Sequence, residues 1–205
     1  MARARAVLIW VGLGAAMISP IVAAAFSPLL AWREPIYIIA GFAGIVGMAA
    51  MLAQPLLVGG HLPGLEGQTG RRVHRWVGAI VIAAVIVHIA GLWITSPPDV
   101  IDVLLFRSPA PFSLWGVIAM WAVFAAAFLA LLRRRLALRA WRLGHSALVA
   151  ITVGGTAAHV LLIDGTMETI TKVGLSILVG LVLLKVIIDR RAWVIRRRSL
   201  SDRSA

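Results

Sequence analysis

Residues 74 to 88 read HRWVGAIVIAAVIVH, and residues 145 to 159 read HSALVAITVGGTAAH. Each stretch sets a histidine at both ends of the same fourteen-residue interval, and between the first pair everything except Arg75 is apolar or glycine. Runs this apolar cross a hydrocarbon core of about 30 Å as helices, and that decides the fold. Working outward by the same criterion gives six spans, at roughly 7–31, 36–58, 74–95, 112–132, 143–163 and 172–188. The 205-residue chain is 61% hydrophobic with a mean hydropathy of +0.96, well above the apolar share of soluble domains. The expectation is an all-α integral membrane six-helix bundle forming a single domain over residues 1–205, with no room for a soluble domain.

A net charge of +12 raises the question of nucleic acid, and its distribution answers it. If six helices alternate in direction, seventeen of the twenty Lys and Arg residues fall on one side; the other holds only Arg33, Arg107 and Lys172. Asp99, Asp102, Asp164 and Glu168 share that second side. This asymmetry is the positive-inside pattern, placing both termini in the cytoplasm, and the basic loops touch anionic lipid. No nucleic-acid partner is expected. The location expected is the bacterial inner (cytoplasmic) membrane, crossed several times.

The start, MARARAVLIWVGLGAAMISPIVAAAFS, also has the basic and apolar regions of a cleavable signal, with an A-x-A stretch at residues 23–25. Its apolar run reaches about residue 31, long for a signal core, so a retained first helix is expected. The absence of cysteine excludes disulfides, iron–sulfur clusters, zinc–thiolate sites and covalently attached c-type haem. Between spans two and three, GGHLPGLEGQTGRR is turn-rich; His61 within it is expected to be a solvated loop histidine. Between spans three and four, SPPDVIDVLLFRSPAP predicts a short helix in the membrane interface. Trp10, Trp32, Trp76, Trp93, Trp115, Trp141 and Trp193 lie near span ends, as belt residues do. Trp121 falls mid-span and is expected to be a packing residue, with a place on an electron path as the alternative.

In an α-helix fourteen residues rise about 21 Å and turn about 1400°, about 40° short of four full turns. His74 and His88 therefore share a face, as do His145 and His159. Spans three and five run in the same direction, so His74 is expected opposite His145 and His88 opposite His159. An intramembrane histidine is a functional candidate by default, and packing or a proton relay are alternatives for any one of them. Four in register favour another reading, because two imidazoles at one level on facing helices are the axial ligands of a six-coordinate haem. Two levels imply two haems. With both axial positions taken, the iron has no site for oxygen or substrate, so the chemistry implied is one-electron transfer across the bilayer. A porphyrin also needs small side chains facing it. Gly78, Ala84 and Gly155, one turn inward from three of the histidines, are candidates to serve, with plain helix contact as their alternative; Val149 is the exception at the fourth position.

HRWVGAIVIAAVIVH with the following GLW, and RLGHSALVAITVGGTAAH, resemble the paired-histidine helices of the ferric reductase-like transmembrane domain, the haem-bearing module shared with NADPH oxidases. The resemblance covers essentially the whole chain, and its specific part is the four histidines. It implies two non-covalent b-type haems, the inner held by His74 and His145 and the outer by His88 and His159. Electrons would pass from a cytoplasmic flavin to a periplasmic acceptor, with ferric iron leading. Larger members carry their own flavin and nicotinamide domain. Here only DRRAWVIRRRSLSDRSA follows span six, and GLGAA at 12–16 lies inside a span. Flavin and NAD(P)H are therefore expected only through a separate flavoprotein donor, the chain being an oxidoreductase component. A related branch supplies the membrane subunit of a periplasmic methionine sulfoxide reductase system. Its span-five pair is spaced one residue shorter and the inner histidine of span three is not matched, so the ferric reductase type fits better. A non-catalytic membrane scaffold or assembly subunit is the alternative of another class.

Arg71 and Arg142, about one turn before His74 and His145, are candidates to pair with inner-haem propionates. The run RRRLALRAWR is a candidate surface for an acidic flavoprotein, and Asp99, Asp102, Asp164 and Glu168 for drawing a cationic acceptor. Lys185 is expected to snorkel to the cytoplasmic surface. Reporter fusions check the charge reading: an enzyme active only in the periplasm should work when joined within residues 97–108 and fail within 133–139, the reverse pattern inverting the topology.

Overall fold

The computed structural model describes residues 1–201, with side chains through Asp189; Trp193 and the basic residues from Arg190 onward lie outside the described side chains. Among the described residues seven α-helices follow one another: α1 (Ala2–Ala25), α2 (Pro35–Gly59), α3 (Gly67–Thr95), α4 (Pro97–Leu104), α5 (Pro111–Leu131), α6 (Leu138–Leu162) and α7 (Thr169–Ser201). No strand occurs among the described residues. All but α4 are long and apolar enough to span a bilayer. The chain is a multi-pass integral membrane protein, and α4 is the short helix expected between the third and fourth spans.

Helix ends differ from the apolar limits for local reasons. α3 and α6 begin well before the greasy runs, taking in Arg71 and Arg72, and Arg139 and Arg142. Helical hydrogen bonding continues past the hydrocarbon edge, since it satisfies the backbone at any depth. α1 stops early, at Ala25, because Pro28 disfavours helical geometry at Ser27. A single 3₁₀ turn over Pro28–Leu30 follows, with the Ser27 hydroxyl accepting the Leu29 amide at 3.3 Å. Prolines open α2, α4 and α5, where the missing N–H costs nothing. α2 closes on Gly60 at φ 71°, the left-handed cap glycine adopts readily. Glu168 caps α7: its carboxylate accepts the Ile170 and Thr171 amides at 2.8 and 2.9 Å. Those two bonds hold its carboxyl below the usual carboxylate range. The cap's contribution is therefore complete above the ordinary carboxylate pKa and is lost as pH falls through the lowered value.

The helices form a closed circuit, α2 to α3, α5, α6, α7 and back to α2, with α1 outside against α2 and α7. α3 packs chiefly on α2 and α6 chiefly on α5, while α3 and α6 approach each other along little of their length. Ile45, Met48, Ala49, Leu52, Val81, Leu175 and Val179 make the main buried core. Lipid is as apolar as these side chains, so close packing rather than escape from water holds the helices together. Small residues permit it. A Cβ on Gly91 would lie 2.7 Å from the Ala40 Cβ and 3.2 Å from the Ile36 carbonyl oxygen, and Gly47 abuts Ala84. In the second hairpin Gly155 faces Ala119 and the Trp115 carbonyl.

These contacts correct one expectation. Ala84, Gly155 and Gly78 face the partner helix of their own hairpin, Gly78 lying against the Gln54 amide. They serve helix–helix approach, and the helix pattern could not separate that face from its neighbour. Trp121 is another correction: it is 56% exposed on the outside of the bundle, with an edge-to-face contact to Phe124. α5 turns its Gly116 and Ala119 face to α6 instead. Nor is His61 simply solvated. The Gly60 turn brings the His61 amide to the Leu56 carbonyl and its ring against Gly59, with Nε2 3.3 Å from Asp189 of α7. Lys185, exposed, bonds the same carboxylate at 2.8 Å.

Replacing Gly91 with alanine forces a methyl into the Ala40 contact, and overpacking of this kind costs about 1–3 kcal/mol. The G91A protein should unfold at lower temperature in detergent than the parent.

Candidate cofactor site between α3 and α6

His88 of α3 and His159 of α6 meet across the gap that these two helices enclose. Their ring centroids are 6.5 Å apart and their planes are nearly perpendicular, at 82°. Each ring is tied down by the neighbouring helix of its own hairpin. His88 Nδ1 lies 2.7 Å from the Ala40 carbonyl oxygen of α2, and His159 Nδ1 lies 2.8 Å from the Phe112 carbonyl oxygen of α5. A carbonyl only accepts, so Nδ1 carries the proton in both rings. That leaves Nε2 as the lone-pair nitrogen, the state in which imidazole ligates a metal, with the other nitrogen bonded to a carbonyl.

The rings fit where they do because glycine lies beneath them. A Cβ on Gly44, four residues after Ala40, would sit 3.1 Å from His88 Nδ1; one on Gly116, four after Phe112, would sit 2.7 Å from His159 Nδ1. The two hairpins are copies of one device: Ala40, Gly44 and Gly47 of α2 correspond at constant offset to Phe112, Gly116 and Ala119 of α5. Ala84 and His88 of α3 correspond likewise to Gly155 and His159 of α6.

The arrangement fits a haem. Two imidazoles bonded to one metal at about 2 Å each hold their ring centres roughly 6 Å apart, close to the spacing seen. Among the described residues no three His, Asp, Glu or Cys side chains gather into a metal cage. A pair suffices when a macrocycle supplies the other four donors.

His74 and His145 lie one interval back on the same two helices, both partly buried. His145 stacks on Trp141 at 5.4 Å between centroids and 13° between planes, and the Arg133 guanidinium sits 5.2 Å from the indole centroid. Arg71 and Arg142 are exposed, and neither joins an ion pair among the described residues. Asp99 accepts a hydrogen bond from the Ser96 hydroxyl, and Glu168 is occupied as the α7 cap. Lys172, 8% exposed, donates to the Ile163 carbonyl at 2.9 Å, one turn beyond His159.

The sequence pointed to no role for Gly44, Gly116 or Gln54, and for Trp141 only to that of a belt residue. Gln54 has a buried Oε1 with no hydrogen-bond partner in the described structure, a state that costs about 1–3 kcal/mol. Its signal was plain enough: an amide inside an apolar span is a functional candidate. The glycines gave none, since only the fold shows which ring they receive.

A family model described as ferric reductase like transmembrane component matches residues 40–156. That is more than half of the chain, and the chain belongs to this family, whose members bind haem in a transmembrane domain. It is a membrane electron-transfer module. The matched region includes His74, His88 and His145 and ends three residues before His159. No curated protein and no solved structure matches the chain.

The glycine seats give a graded prediction. G116A should push His159 off the Phe112 carbonyl and lower bound haem per chain, and G44A, with the looser contact, should do so less. Pigment content per protein after purification measures both.

Proposed function

We propose that the chain carries two b-type haems, one between His88 and His159 and one between His74 and His145, and passes electrons between them across the membrane. The observation that carries this reading is the His88–His159 pair: two facing rings, each with Nδ1 bonded to a backbone carbonyl and Nε2 left as a ligand. Bound iron porphyrin supplies reversible one-electron chemistry. The protein's part is to fix it in place. The Ala40 and Phe112 carbonyls orient the outer ligands, α2 and α5 hold the ligand helices, and the surrounding apolar side chains exclude water. Arg71 and Arg142 are the candidates to neutralise propionates at the inner level.

The positive-inside distribution supports a topology in which the His74–His145 level faces the cytoplasm, in a bacterial inner membrane. The donor is a separate flavoprotein, received by the basic segment around Arg133, Arg134, Arg135, Arg139 and Arg142, where steering would make electron entry salt-sensitive. The acceptor is periplasmic, with ferric iron leading; the fourteen-residue spacing in both helices favours it over a sulfoxide-repair subunit.

Two tests separate these statements. The purified protein should show b-type bands in a reduced-minus-oxidised spectrum at two haems per chain, and H88A or H159A should retain one. A colourless wild-type protein would leave the scaffold reading. With a reductant at the cytoplasmic side, iron(III) reduction should exceed turnover of methionine sulfoxide through a periplasmic reductase; the opposite ranking assigns the chain to the repair system.

A further inference from the structure

We propose that Trp141 is a positioning residue for the inner ligand His145, fixing the plane of its imidazole and supplying an indole N–H to the group bound there. The proposal rests on the two-haem reading above. Three observations converge on it. The indole and imidazole are nearly parallel, 13° apart at a centroid distance of 5.4 Å, an arrangement that resists rotation of the smaller ring about its Cβ–Cγ bond. Trp141 lies four residues before His145 in α6, so one helix turn sets their relation and no distant contact is needed. Its buried Nε1 has no acceptor among the described residues. A buried donor without an acceptor is costly, and in a site that takes a porphyrin the available acceptor is a propionate carboxylate.

Arg133 completes the group. Its guanidinium lies 5.2 Å from the indole centroid, within cation–π range, and it comes from the segment linking α5 to α6. The stack Arg133, Trp141, His145 thus ties a connecting segment to one ligand, where the outer ligands are held by the carbonyls of Ala40 and Phe112. An aromatic beside the basic loop is unremarkable as a belt residue; ring stacking on a ligand histidine is not explained that way.

The plane of an axial imidazole sets the anisotropy of the low-spin ferric signal, and positive charge or a hydrogen bond toward a propionate raises the midpoint potential. Potentiometric titration with electron paramagnetic resonance on W141L, W141F and R133Q reads both. In W141L one of the two ferric signals should change its g values and one midpoint should fall, the other haem staying as in wild type. W141F keeps a stacking face and loses the N–H, so its g values should stay and the same midpoint should fall. R133Q should lower that midpoint alone. Unchanged g values and midpoints in W141L, or equal displacement of both haems, overturns the proposal. If W141L does not accumulate, W141F and R133Q decide it, and an unmoved midpoint in both overturns it. A wild-type protein without haem would instead bring down the reading beneath it.

Discussion

A neutral imidazole in hydrocarbon has one N–H that must find an acceptor and one lone pair that is left to act. The rest of the site depends on how that N–H is satisfied. At His88 and His159 the acceptor is a main-chain carbonyl of the adjoining helix, 2.7 and 2.8 Å away. That choice fixes the tautomer and the rotation of the ring and leaves Nε2 as the lone-pair nitrogen. Leaving the N–H unpaired in so apolar a setting would cost about 1–3 kcal/mol, so the orientation is strongly imposed.

Reaching a carbonyl already engaged in its own helix requires the two helices to run very close. The packing of each hairpin follows from this. Gly47 against Ala84, Gly91 against Ala40, and Gly155 against Ala119 bring the backbones together, while Gly44 and Gly116 clear the volume into which the rings turn. Tight hairpins leave α3 and α6 facing each other across a gap, bounded by α5 on one side and by α7 and α2 on the other. The fold therefore makes a slot by packing strongly in pairs and loosely between pairs.

The six spans, their rough limits, the short helix after span three and the meeting of His88 with His159 were legible in the sequence, because apolar length and a fourteen-residue interval map directly onto helix geometry. What stayed hidden depends on which helix lies beside which. Gly78, Ala84 and Gly155 were readable as small residues near histidines, yet the neighbour they admit is a helix rather than a cofactor. Trp121 gave no sign that its face looks outward, since every side of a membrane helix is apolar. His61 is a loop residue as expected, yet it looked merely solvated because Asp189, its partner, is far away in sequence and adjacent only once α7 returns to that end of the bundle.

The two anchoring residues, Ala40 and Phe112, could hardly differ more in bulk. Because the atom that matters at each is a peptide oxygen, the anchor itself imposes no demand on side-chain identity. The demand falls on the hydrogen-sized side chain one turn later. Natural variation at these sites should accordingly be lopsided: freedom at 112, a small residue at 40 only because Gly91 packs on it, and intolerance at 44 and 116.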